Sequence, residues 1–347
     1  MTASPWIPSP ALEGVPLYGY GHSYLAGLHN GIAPGQRYME RTARRLGMAY
    51  VPRAVSGYQM QDAALDLLNG PRAWTVGTSG VVVLDATIND TKNHGTDAQA
   101  LRGYRWSLRA ALRYLSLSSA IPEDSGSITP TGDGERIAVA DFTGGHNWRM
   151  TAGQYGVASW SFTTTGSNMV IGFGGLDDSD GGEFDVLADG QVVAGIDTDN
   201  VCRTSATGRP YCPVTVQPTL ADGPHSIAVR PRGTAATGKG PYLDYVGTLS
   251  KTPPLIVLVR PLPLPGDGYL LADAAAVEAY ADVQFQEAAT ARAQGVNVVI
   301  VDPSPGWNPA TMIGADGLHP SPRGHAHIAD ALCGLLAGYD YSRGVTR

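Results

Sequence analysis

The sequence predicts an α/β protein, a parallel sheet with helices on both faces, interrupted by an all-β sandwich. Three observations predict it. Short apolar strand patterns alternate with helical patterns up to residue 122; helical periodicity vanishes between residues 125 and 250; strand–helix alternation then returns. Parallel strands need crossover helices, so the two α/β stretches belong to one sheet. The expected division is an α/β unit at 1–122 and 252–347 with 123–251 inserted in it. The ends of such an insertion are expected side by side, leaving an α/β part able to fold without it.

The first strand is expected at Leu17–Tyr20, ending in Gly21-His22-Ser23. A helical pattern follows over Tyr38–Leu46, then a strand over Ala49–Val55 ending in Ser56-Gly57, then a short amphipathic helix over Gln61–Leu68. Val81–Leu84 is a continuous β-branched apolar run, as a strand covered on both faces requires. Ala98–Leu117 reads as a long helix, and Arg102, Arg105, Arg109 and Arg113 along it read as a solvated face. Runs at strand spacing follow: Arg136–Ala140, Val157–Phe162, Met169–Gly172, Glu183–Leu187, Gln191–Ala194, Val214–Gln217, His225–Val229 and Tyr242–Val246. Gly, Asp, Asn and Pro clusters separate them, and Asp189-Gly190 is a hairpin signal, so a β-sandwich is predicted. Leu255–Val259 and Val296–Val301 are again buried-strand runs, with a long helix over Ala272–Ala293 and a closing helix over Ser321–Leu336.

A chain of 347 residues with 43% hydrophobic content can bury two cores, and its 44 glycines and 25 prolines call for many turns. A formal net charge of −7 without a basic patch excludes the usual nucleic-acid binder. No apolar run reaches the length of a membrane span. Met1–Gly14 lacks the basic and apolar regions of a Sec leader, so cytoplasmic synthesis is expected, with lysis or incorporation into a phage particle as routes outward. Cys333 lies in a helical apolar pattern as a buried thiol, while Cys202 and Cys212 flank a turn-forming stretch and leave a disulfide open. No Cys/His spacing resembles a zinc site.

In doubly wound sheets, functional residues gather past the carboxyl ends of the strands. Those ends carry Ser23, Gly57, Asn89 and, after the last strand, Asp316-Gly317-Leu318-His319. A serine needs a base to become a nucleophile, and the base needs an orienting acid. His319 and Asp316, three residues apart, supply both from one loop. Acyl transfer also needs donors aimed at the developing oxyanion, and the Ser23 N–H, the Gly57 N–H and the Asn89 amide are candidates.

These four segments resemble, in order and spacing, the four signature blocks of the SGNH (GDSL-like) hydrolase family, over about 1–120 and 252–340. The resemblance implies a flavodoxin-like sheet, a triad of Ser23, His319 and Asp316, an oxyanion hole of Ser23, Gly57 and Asn89, and no cofactor. Two positions depart from the family: Gly21-His22-Ser23 stands where Gly-Asp-Ser is usual, and Thr87 where the third block begins with Gly. The insertion, through Gly181–Leu187, Asp222–Ser226 and Tyr242–Val246, loosely resembles jelly-roll-like carbohydrate-binding modules.

The reading is therefore a carboxylic ester hydrolase acting on acyl groups, O-acetyl first, of a polysaccharide or cell-envelope glycan, as a tail-associated phage enzyme would. Two alternatives stay open. One is a lipolytic or small-ester hydrolase whose insertion forms a lid or an oligomer contact. The other is a catalytically weak receptor-binding tail protein in a virion assembly. Asp177, Asp178 and Asp180 could hold Ca²⁺ or form a plain acidic loop. Trp148 and Trp160 could stack on sugars or fill the core, and His94 and His146 read as surface residues.

Overall fold

The computed structural model describes residues 11–27, 31–122, 129–131, 134–150, 157–164, 168–178, 182–232, 242–265, 273–340 and 345–346. The first α/β stretch runs β1 (Pro16–Gly21), α1 (Ser23–Ala26), α2 (Tyr38–Leu46), β2 (Ala49–Pro52), α3 (Met60–Asn69), β3 (Val81–Asp85), α4 (Ile88–His94) and α5 (Ala98–Leu115). Among the described residues eleven strands follow: β4 (Leu117–Pro122), β5 (Thr129–Thr131), β6 (Gly134–Ala138), β7 (His146–Met150), β8 (Val157–Thr164), β9 (Met169–Leu176), β10 (Glu183–Ala188), β11 (Gln191–Asp197), β12 (Tyr211–Val216), β13 (Gly223–Pro231) and β14 (Tyr242–Leu249). The chain then returns through β15 (Leu255–Val259), α6 (Ala274–Ala293), β16 (Val298–Val301), α7 (Pro309–Met312) and α8 (Pro322–Gly338), and ends in the short pair β17 (Tyr339–Asp340) and β18 (Val345–Thr346).

Five strands form one parallel sheet in the order β2-β1-β3-β15-β16. Numbered along the sheet, that is the 2-1-3-4-5 order of flavodoxin-type doubly wound sheets. The central strands read Val-Val-Val-Leu-Asp and Leu-Ile-Val-Leu-Val, and every residue of both is buried. One face packs under α3, α5 and α6, with Leu65, Leu68, Leu108, Leu112 and Tyr280 in its core. The other packs under α2 and α8, through Met39, Leu46, Leu332 and Leu336. These apolar side chains cover the two faces of the sheet, which fixes the layer order.

The β-rich block makes two antiparallel sheets, β11-β10-β13-β8-β5 and β12-β9-β14-β7-β6, with β4 added along β14. Phe173 and Val214 from one sheet meet Phe184, Val186, Ile227 and Val229 from the other in a single core. Asp189 and Gly190, at φ 50° and 80°, turn β10 into β11, the positive-φ pair that a two-residue hairpin demands. The ends of the block lie side by side, since β4 pairs with β14 and Leu117 stands opposite Leu249. Its first strand begins at Leu117, six residues before the expected start at 123, and α5 ends at Leu115 instead of running to Leu117.

Two expectations are corrected, and the pairing left open for Cys202 and Cys212 is answered. The arginines of α5 are not a solvated face: Arg113 is buried, Arg109 makes a two-point contact with the buried Glu287 of α6 at 2.8 and 2.7 Å, and Arg102 meets Asp197 of β11 at 3.0 Å. The helix lies between α6 and the sandwich, so its polar stripe has protein on both flanks. Cys202 and Cys212 are free thiols, both buried in the sandwich, as Cys333 is in α8. An α/β part that folds alone is opposed by packing, because Val139, Phe142, Val170, Tyr245 and Leu249 of the block share a core with α3 and α5. Trp148 and Trp160 lie on β7 and β8, opposite Arg136 and Ile227, and their side chains, like that of His146, fall outside the described residues. Among the described residues no helix is long and apolar enough to cross a membrane.

Candidate active site

The site begins where β1 turns into α1. Gly21 sits at φ 145°, and a Cβ there would fall 1.9 Å from the Asp85 carbonyl oxygen, so only glycine lets the ends of β1 and β3 come this close. The His22 N–H donates to that carbonyl at 3.0 Å. His22 then caps α1 with its side chain: Nδ1 accepts from the Tyr24 N–H at 3.2 Å. With Nδ1 an acceptor, the hydrogen of a neutral ring is on Nε2, and Nε2 lies 3.2 Å from Asp85 Oδ1. Asp85 Oδ2 accepts from the Tyr38 hydroxyl at 2.8 Å, and all three side chains are buried. A histidine rather than an aspartate before Ser23 thus has a structural reason: a carboxylate is already supplied by β3, and a second at position 22 would face it.

Ser23 follows as the first residue of α1, with its backbone N–H among the unpaired donors that open a helix. The Tyr24 hydroxyl donates to the Leu318 carbonyl at 2.6 Å and ties this turn to the loop between α7 and α8. That loop is closed by the bridge between Ile313 and Pro320 and by the Gly314 N–H donating to the His319 carbonyl at 2.8 Å. Within it, Asp316 Oδ1 accepts from the backbone N–H groups of Leu318 and His319, both at 3.0 Å. Asp316 Oδ2 lies 2.7 Å from His319 Nδ1, and His319 Nε2 lies 2.8 Å from Ser23 Oγ. Ser23 is buried, His319 half-buried and Asp316 exposed. An acid in that position orients the imidazole through its hydrogen bond, which holds the hydrogen on Nδ1 and turns the Nε2 lone pair to the serine.

Asn89 is the second residue of α4 and is buried, and its Nδ2 donates to the Tyr58 carbonyl at 2.9 Å. That bond joins the end of β3 to the segment after β2 and leaves a second Nδ2 hydrogen. Gly57 sits exposed at φ 87° with no atom within 4 Å of where a Cβ would stand, so its backbone borders open space. Next to Asn89, Asp90 is buried and accepts from the Met60 N–H at 2.9 Å; burial pushes its carboxyl well above the ordinary carboxylate range, and nearby Asp62 adds to this. His325 of α8, stacked on Tyr38, is held down at about 4 by burial and by the charges of Arg41 and Arg37.

Asp177 of the candidate calcium site accepts from the Thr204 hydroxyl, and the Asp178 carbonyl accepts from the Asn200 N–H at 2.7 Å. Asp180 lies outside the described residues, and among the described residues no group of three acidic, His or Cys side chains could hold a metal. His94 is partly buried with its imidazole pKa lowered by burial, so it is not a plain surface residue. Sequence reasoning missed His22–Asp85–Tyr38; the signal was an acidic residue ending the apolar run Val-Val-Val-Leu-Asp.

Compared with protein-family models and with curated proteins, the chain finds no match. Among solved structures it is similar to an exo-β-1,3-galactanase from Phanerochaete chrysosporium with galactose, at 16% identity over 37% of this chain and 29% of that one, TM-score 0.28. A family 35 carbohydrate-binding module from Clostridium thermocellum matches at 16% identity over 38% of this chain and 98% of the module, TM-score 0.29. A family 36 module in complex with calcium and xylotriose matches at 15% over 37% and 97%, TM-score 0.27. The chain spans under a third of the length of the galactanase, 29%.

Proposed function

We propose that the chain is a serine carboxylic ester hydrolase of the SGNH type, with Ser23 as nucleophile, His319 as general base and acid, and Asp316 orienting it. One observation carries the reading: Ser23 Oγ, His319 and Asp316 are linked at 2.8 and 2.7 Å at the carboxyl edge of a parallel sheet. In the first half-reaction Oγ attacks the ester carbonyl carbon while its proton passes to His319 Nε2. The tetrahedral oxyanion is met by the Ser23 N–H, the Gly57 N–H and the free Asn89 Nδ2 hydrogen. Collapse expels the alcohol, which takes the proton from Nε2, and leaves an acyl-serine. Water then attacks, delivers its proton to Nε2 and releases the acid as Ser23 recovers its own proton.

The substrate half of the proposal is an acyl group, O-acetyl first, on a polysaccharide or cell-envelope glycan. It rests on the insertion's strand pattern and its loose resemblance to carbohydrate-binding modules. Residues 1–122 and 252–347 would be the hydrolase unit and 123–251 the glycan-holding one. The test is labelling by a fluorophosphonate together with turnover of a small activated acetate and of an acetylated glycan. Wild type should label and turn over, and Ser23→Ala should do neither while keeping its unfolding transition. Equal turnover in Ser23→Ala would overturn the assignment.

A further inference from the structure

The segment from Cys202 to Tyr211 crosses from the sandwich to the α/β layer and lands beside the oxyanion side of the site. Residues 205–211 of it make a cluster of contacts to residues 58–62. The Ala206 N–H donates to Gln59 Oε1 at 2.6 Å, Ser205 Oγ donates to Asp62 Oδ1 at 2.8 Å, and Thr207 Oγ1 donates to the same oxygen. Gln61 Nε2 donates back to the carbonyls of Arg209 and Tyr211 at 2.8 and 2.6 Å. Arg209 donates to the Asp62 carbonyl at 3.1 Å, and its guanidinium carbon lies 5.7 Å from the centre of the Tyr58 ring. It also sits 3.5 Å from Asp66 and 3.3 Å from Asp141. Asp62 and Asp66 are buried residues of α3, so Arg209 supplies the α/β layer with a counter-charge that comes from the insertion.

Two bonds pass the constraint on. The Tyr58 carbonyl accepts from Asn89 Nδ2, and the Met60 N–H donates to Asp90, the neighbour of Asn89. Gly57 adjoins Tyr58 in the chain. We propose that the 205–211 segment of the insertion is a positioning element for the oxyanion hole, acting through Tyr58 and residues 59–62 on Gly57 and Asn89. The proposal rests on the serine hydrolase reading and adds that the insertion builds part of the site as well as holding a polymer. Arg209 touches no reacting atom in it; it sets where the two donors stand. A displacement of about 1 Å at such donors costs up to about 10²-fold in rate.

The experiment uses the full chain and a small activated acetate, which needs no polymer binding. The variants are Arg209→Ala, Arg209→Lys and the double Ser205→Ala/Thr207→Val, each alone and with Asn89→Ala. Arg209→Ala should lower kcat by about 10-fold to 10²-fold with KM changed less than about threefold. Arg209→Lys should recover part of the loss, keeping the charge without the planar fork. On the Asn89→Ala background the same changes should cost clearly less than in the wild type, because the Asn89 donor they displace is already gone and only the Gly57 N–H is left to misplace. Should Arg209→Ala not fold, Ser205→Ala/Thr207→Val keeps every charge and carries the same cycle. Amide hydrogen exchange over residues 57–62 is read in the same proteins and needs no turnover, so it separates this proposal from the hydrolase reading. Faster exchange there in the hydroxyl-deletion variant supports the brace even in a chain without esterase activity. Unchanged exchange, or rate losses that multiply with Asn89→Ala, would overturn it.

Discussion

His22→Asp sets a second carboxylate beside Asp85 and should weaken the protein. In the wild type His22 Nε2 faces Asp85 Oδ1 at 3.2 Å, and Nδ1 caps α1. Aspartate keeps the cap, since it accepts from a helix N–H as well as any residue. It loses the bond to Asp85, about 1.5–3 kcal/mol for a hydrogen bond to a charged group. It also sets a second carboxylate about 5 Å from Asp85, which at an effective dielectric near 20 costs about 3 kcal/mol. The sum, about 4–6 kcal/mol, is a large part of the roughly 5–15 kcal/mol that holds a domain together. The sign with pH follows from the pair: two facing carboxylates raise the folded-state pKa of one above its unfolded value. The variant's deficit is therefore full at neutral pH and shrinks as pH falls through that raised pKa. Urea unfolding at pH 7 and pH 5 measures it, with His22→Asn as reference because it caps and donates without a charge. The Asp variant should be less stable than the Asn variant by about 3 kcal/mol or more at pH 7 and by clearly less at pH 5. Equal stabilities at pH 7, or a gap that does not narrow at pH 5, would refute the account of position 22.

Asn89→Ala should lower kcat on a small acetate by about 10²–10³ with a smaller change in KM, read by steady-state kinetics; a loss confined to KM would make Asn89 a substrate-binding group. His325, with its pKa lowered from 6.5 to about 4, stabilises the fold fully above pH 6.5 and loses that contribution as pH falls toward 4, up to about 3 kcal/mol; His325→Asn should flatten this part of the pH–stability curve. Joining residues 1–122 to 252–347 removes Val139, Phe142, Val170, Tyr245 and Leu249 from the shared core, at about 1.5–3 kcal/mol each. The product should show no cooperative unfolding transition by calorimetry, and a folded monomer would refute the shared-core argument.

The parts of the fold legible in the sequence are those with a local signature. The Val81–Leu84 and Leu255–Val259 runs, the amphipathic period over Tyr38–Leu46 and the Asp189-Gly190 turn each announce themselves within a few residues, and each element is there. Ser23 stands out by type and by its place at the end of β1, and His319 and Asp316 by their spacing in one loop beyond the last sheet strand, and the three meet. The rest depends on what lies opposite in space. Leu117-Ser-Ser-Ala-Ile-Pro has little alternation, and it is a strand because β14 offers it an edge. The α5 arginines have the spacing of a solvated stripe, and only the arrival of α6 and β11 turns that stripe inward. Arg209 and Asp62 are joined across 147 positions, and such a contact leaves no periodic trace.

The two sides of the candidate site are held by different layers, which bears on how specificity could arise. The acid–base side is fixed from within the α/β layer: Tyr24 is bonded to Leu318, and the His319 loop is closed on itself beside α8. The side carrying Gly57 and Asn89 hangs on the segment after β2, whose outer contacts run to the sandwich. A mutation or ligand that shifts the sandwich would thus reach Gly57 and Asn89 while leaving the 2.8 Å contact between His319 and Ser23 in place. Under the proposed function, such a shift would change the stabilisation of the developing charge more than the activation of the nucleophile. Under the proposed function, a polymer gripped by the insertion could then alter kcat and not only KM, because part of its binding energy would be felt where the transition state gathers charge. An accessory module on a flexible tether has no such route, and could act only through the local concentration of substrate.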